Sequence, residues 1–174
     1  MNFHTWLKNR NLNEMKDSQY DLLLKYLPLV KKKLEDLGIE PQMNDSQLIG
    51  YLNHVAGFSI PADDAGIKWH ANGLANRLIE VFVKEQVGDI VERLTRPDKD
   101  LAEILQLNMS VKIAEPSDII PVKIRFNVRH VGLDMEQRFS AQEIIERKDK
   151  NLSDFIKEVI SDYKTRFSNS AGHR

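Results

Sequence analysis

The sequence predicts an α+β fold: a helical N-terminal half, then a three-stranded antiparallel sheet followed by two C-terminal helices. Three observations point there. Apolar residues recur at helical spacing through the first half, alternate with polar ones from residue 107, and return to helical spacing after an S-x-x-E box at Ser140. The 174 residues suit one compact domain or two small ones. The change of period divides them into a helical region 1–106, a sheet-and-helix region 107–168 and a frayed tail 169–174.

The elements follow in order. Ser18 with Asp21 is a helix-start signature, and Tyr20, Leu23, Leu24, Leu27, Leu34 and Leu37 continue at helical spacing to Gly38 and Pro41. Pro28 lacks a backbone donor and disfavours a helical Leu27, so a kink or two helices, near 18–27 and 28–37, are expected. Lys31, Lys32 and Lys33 then lie in the last turns, where cations complement the macrodipole. Asn44 or Asp45 caps a short helix carrying Leu48, Ile49, Leu52 and Val55, closed by Gly57. From Asp64 to Leu94 a longer helix is apolar on more than one side, as in the centre of a bundle, with Gly73 and Gly88 as weak points. A brief helix through Leu101, Ile104 and Leu105 follows "RPDKD".

Leu107, Met109, Val111 and Ile113 then alternate with polar residues, as do Val122, Ile124, Phe126 and Val128 beyond "EPSD", which predicts a hairpin. "GLD" leads to a third strand, Met135 to Phe139. Ser140 and Glu143 start a helix with Ile144 and Ile145. Asn151 caps the last one, with a buried stripe of Phe155, Ile156, Val159, Ile160, Tyr163 and Phe167.

Composition narrows the function classes. Hydrophobic residues at 41% and charged residues at 29% describe a globular chain rather than a disordered one. With no cysteine there is no disulfide framework or thiolate site, and a reducing, cytoplasmic setting is expected. No apolar run reaches the roughly 18–20 residues of a membrane span, so no membrane partner is expected. Residues 1–106 hold 13 Lys and Arg against 16 Asp and Glu, and residues 107–174 hold 12 against 10, giving −3 and +2. Neither half has the strongly basic balance of a dedicated DNA-binding domain.

No phosphate loop, nucleophile elbow or dinucleotide fingerprint occurs, and His4, His54, His70, His130 and His173 lack ligand spacing. Asp63 and Asp64 read as the acidic opening of a helix. The expectation is a non-enzymatic protein without metal, cofactor or small-molecule substrate. One surface has chemical direction: strand parity puts Lys112, Lys123, Arg125, Arg129 and Arg138 on the solvent side of the sheet, where basic side chains can track phosphates. Nucleic acid or another polyanion is therefore a possible partner. Against it, the face lacks the interleaved aromatics of sheet-based RNA binders, because Phe126 has core parity. A solvated face or a protein interface is the other reading.

The opening "MNFHTWLKNRNLNEM" places Phe3, Trp6 and Leu7 on one helical face, enough for a small helix packed on the body. It also resembles the capsid-targeting segments of head and core proteins of large contractile-tailed phages. In those, an initial Met, then an aromatic and an apolar residue, precede a Leu/Ile-x-Glu triplet after which the prohead protease cuts. The matching residues are Met1, Phe3, Trp6, Leu7 and the triplet Leu12, Asn13 and Glu14, with a new terminus at Met15. The resemblance covers residues 1–14. It implies a phage virion or head-assembly protein acting through protein partners or self-association, in the host cytoplasm and the virion.

Overall fold

A computed structural model describes residues 17–56, 64–114 and 120–172. The order is α1 (Asp17–Asp36), α2 (Asp45–Ala56), α3 (Asp64–Thr95), α4 (Lys99–Leu107), β1 (Met109–Ile113), β2 (Pro121–Val128), a 3-10 turn (Arg129–Val131), β3 (Leu133–Ser140), α5 (Ala141–Ile145) and α6 (Leu152–Gly172). This is the α+β order expected from the periods. The chain forms two compact units, Met1–Val81 and Phe82–Arg174. They divide inside α3 rather than near 106, because α4 and the end of α3 belong with the sheet: Gln106 Nε2 donates to Gly88 O at 3.2 Å, and α4 touches β2.

In the first unit, α1 runs as one helix through Pro28, so of the kink or two helices expected, the two-helix alternative does not hold. Pro28 withholds the N–H that would have bonded the Leu24 carbonyl. Both residues are exposed, so water can take up that carbonyl, while Leu23, Tyr26, Leu27, Val30 and Leu34 are buried on both sides of the proline. Gly38, at φ +73°, ends the segment in a Schellman motif: Ile39 N–H donates to Leu34 O at 2.8 Å and Gly38 N–H to Glu35 O at 2.9 Å. Asn44 is the cap of α2. Its Oδ1 accepts from Gln47 N–H at 2.9 Å, and Gln47 Oε1 accepts from Asn44 N–H at 3.0 Å. Leu48, Ile49, Tyr51 and Leu52 of α2 are buried, as are Leu74, Ala75, Leu78 and Ile79 of α3. Arg77 Nη1 donates to Val55 O at 3.0 Å and ties α3 to the end of α2. Gly73 does not interrupt α3, nor does Gly88 in the second unit.

The second unit is built on a three-stranded antiparallel sheet in the order β1-β2-β3. Along β2, Val122, Ile124, Phe126 and Val128 are wholly buried while the residues between them are half-buried. Helix α6 packs on that inner face: the Phe155 ring lies 6.1 Å from Phe126 and 5.6 Å from Phe139, centroid to centroid. Further along α6, Tyr163 meets His130 edge-on at 6.0 Å, and Arg166 Nη1 donates to Gly132 O at 2.8 Å, fastening the turn before β3.

Several sequence expectations change here. Leu107 ends α4 instead of opening β1 and is 76% exposed, because Asn108 caps the helix with both its N–H and its Nδ2 on Ile104 O. β3 is longer than Met135 to Phe139, since the 3-10 turn and left-handed Gly132 deliver Leu133 directly opposite Val128. Phe167 is 53% exposed and stacks on Tyr163 at 6.0 Å rather than entering the core. Asn151 sits at the start of α6, yet it is Asp149 Oδ1 that accepts from the N–H groups of Asn151 and Leu152, both at 2.8 Å. At Ser140 the hydroxyl accepts from Glu143 N–H as expected, but it donates to Gln142 Oε1 at 3.1 Å. The last helix continues to Gly172, past the residue 168 limit expected from composition.

Helix α5 ends in the same motif as α1, with Lys148 N–H on Glu143 O at 2.8 Å, Arg147 N–H on Ile144 O at 3.0 Å and Arg147 at φ 61°. One left-handed position thus holds a glycine and the other an arginine. Gly38→Ala should cost about 1 kcal/mol, all of it backbone strain since a Cβ there meets nothing within 4 Å. Arg147→Gly should stabilise by about 0.5–1 kcal/mol by removing the same strain. Urea unfolding midpoints of the two variants, moving in opposite directions, check both.

Candidate interaction surface on the sheet

The outward side chains of the sheet are fixed by its register. Lys112 faces Lys123, and Lys123 faces Arg138, so three cations form one row across all three strands. One row on, Ser110 faces Arg125, which faces Glu136; beyond that Asn127 faces Asp134. The structure therefore brings together Lys112, Lys123, Arg125 and Arg138 as the sequence expects. Arg129 is not among them, because the strand ends at Val128 and Arg129 opens the 3-10 turn.

What parity alone missed is that β3 sends two acids to the same face. Arg125 grips Asp134 with a two-pronged fork, Nε to Oδ1 at 2.8 Å and Nη2 to Oδ2 at 2.7 Å. Lys123 Nζ lies 3.2 Å from Glu136 Oε1. Each contact runs diagonally between strands, one pair on from the directly opposed residue. The fork holds the Asp134 carboxyl below the ordinary aspartate range, mainly through the hydrogen bonds from Arg125, and holds the Arg125 guanidinium above its own. Lys112 and Arg138 have no ion pair among the described residues. The signal for this pairing was present in "LDMEQR", where Asp134, Glu136 and Arg138 share one parity.

Leu12, Asn13, Glu14 and Met15, with Phe3, Trp6 and Leu7, lie outside the described residues. Elsewhere in the second unit a cleft of about 280 Å³ lies between α3 and the start of α6, where Asp89 and Asp149 balance Arg93 and Arg147. Tyr163 Oη sits 3.3 Å from His130 Nε2, and burial, with the charge of Asp98 behind it, pushes the phenol above its ordinary value. Among the described residues no cluster of histidines and carboxylates could hold a metal ion, and no helix is long and apolar enough to cross a membrane. No protein-family model, curated protein or solved structure matches the chain.

The Arg125 fork has a pH signature. Because the folded Asp134 pKa is lowered, its stabilisation is full above the ordinary aspartate value and disappears as pH falls through the lowered one. In an NMR titration the Asp134 carboxyl should titrate below an unpaired aspartate, and Arg125→Met should return it to the ordinary range. An unchanged Asp134 titration in that variant would mean the fork does not hold in solution.

Proposed function

We propose that this is a non-enzymatic protein that works through protein contacts in phage head or virion assembly. The observation that carries the choice is the partial neutralisation of the sheet face. Lys123 and Arg125, two of the cations that could have tracked a phosphate backbone, are engaged by Glu136 and Asp134 of the same sheet. A nucleic-acid surface gains affinity from unpaired cations, since each phosphate contact releases counterions. A face of alternating, internally paired charge instead gives register and selectivity to a protein neighbour. The phage setting rests on the opening segment, with its aromatic pair and the Leu12-Asn13-Glu14 triplet.

A second reading has one observation in its favour. The row Lys112, Lys123, Arg138 presents three cations side by side, and the outermost two have no ion pair among the described residues. A polyanion lying across the strands would meet that row.

Two measurements separate these readings. The intact mass of protein isolated from its native source should begin at Met15, the product of cleavage after Glu14; a mass beginning at Met1 would remove the phage-processing account. In a gel-shift titration at two salt concentrations, no oligonucleotide binding is expected even at the lower salt. Binding that weakens both with salt and in the Lys112→Glu, Lys123→Glu double variant would replace the first reading with the second.

A further inference from the structure

Among the described residues β3 is an edge strand, and its free side can be read from the hydrogen bonds of its neighbour. Ala114 N–H donates to Pro121 O and Asn127 N–H donates to Asn108 O, so the odd-numbered residues of β2 direct their backbone groups to β1. The even-numbered ones, Val122 to Val128, direct theirs to β3, where they oppose Phe139, Gln137, Met135 and Leu133. It follows that Asp134, Glu136 and Arg138 turn their N–H and C=O groups away from the sheet. No backbone partner for them occurs among the described residues. The strand is also open below: Gln137 points to the inner face and is nevertheless exposed, and Met135 beside it is only half-buried.

We propose that β3 pairs with β3 of a second copy of this chain, joining two three-stranded sheets into one six-stranded antiparallel sheet with its two-fold axis at Gln137. This rests on the reading of the protein as one that works through protein contacts, and names the partner. A two-fold axis normal to the sheet makes the pairing antiparallel and keeps both inner faces on one side. Directly opposed residues share a face, so only registers centred on a single residue are available. Centred on Glu136, that residue would face its own copy; centred on Arg138, the arginines would collide; centred on Met135, Asp134 would face the partner's Glu136. Like charges directly opposed are unfavourable.

Centred on Gln137, Glu136 faces the partner's Arg138 on the outer side, twice by symmetry. On the inner side Met135 faces the partner's Phe139, again twice, and the two Gln137 amides meet on the axis. The free backbone groups of Glu136 and Arg138 then supply about four hydrogen bonds between the chains. The pairing also places an acid beside the Lys112, Lys123, Arg138 row, which has a deficit of acid within one sheet. Charges are a common protection of sheet edges against such pairing. Here their order along the strand, acid at 136 and base at 138, selects one register instead of forbidding all of them.

The test uses the full chain. By sedimentation, the 20.1 kDa species should give way to one of twice that mass as concentration rises to about 100 µM, the range in which small interfaces assemble. Glu136→Arg and Arg138→Glu, each confirmed as folded by circular dichroism, should both remain monomeric there. An equimolar mixture of the two should recover the dimer, because opposite charges then face each other at both outer positions. In the wild-type chain the amides of Glu136 and Arg138 should exchange at least about fivefold more slowly at high concentration than when dilute, a readout independent of any variant.

The proposal is overturned by a wild-type chain that stays monomeric at that concentration, by single variants that still dimerise, or by a mixture that does not. A monomer whose native mass begins at Met15 removes the pairing and leaves the assembly reading standing. A dimer whose mass begins at Met1 does the opposite.

Discussion

The alternation along β2 is the constraint on which the second unit depends. Val122, Ile124, Phe126 and Val128 are sealed from water on one side of the central strand, and full burial of side chains of this kind is worth roughly 1.5–3 kcal/mol each. A slip of one residue against either neighbour would turn all four to solvent and bring Lys123 and Arg125 into the core. Register is therefore fixed by apolar burial before any charge is placed. The Phe155 ring, set against Phe126 and Phe139, then holds α6 on that same face.

Once register is fixed, the polar face has no freedom left in which charges become neighbours. The fork between Arg125 and Asp134 and the contact between Lys123 and Glu136 join exposed groups, and exposed pairs contribute little to stability. They join two of the four outward cations to acids of the same face, and they leave Arg138 at the rim of the edge strand with Glu136 two residues before it. The proposed edge pairing uses that order of charge.

The periods of the sequence made most of the architecture legible. Helical spacing gave α2, α3 and α6, strict alternation gave the β1–β2 hairpin with Phe126 inward, and the box at Ser140 marked α5. Errors gathered at element ends, where local rules compete. Pro28 argued for a kink or two helices, but the apolar stripe on both sides of it kept α1 a single helix. Leu107 shared strand parity with Met109, but Asn108 capped the helix first. Asn151 had the right residue type for a cap, yet Asp149, two residues earlier, reaches the free N–H groups.

By itself, then, the sequence determined the face on which most residues of each element lie, because that depends on spacing along one chain; it did not determine the depth of burial of Leu107 and Phe167, both of which are exposed. It placed Lys112, Lys123, Arg125 and Arg138 together on the outer face for the same reason. It could not say that Asp134 and Glu136 would neutralise two of them, nor that Arg129 would leave the sheet. Those outcomes depend on which residue of one strand stands beside which residue of another, and on the 3-10 turn and Gly132 that set where β3 begins. Spacing is a property of one chain segment, whereas ion pairing and free backbone edges are properties of strands brought side by side, and only the tertiary structure decides them.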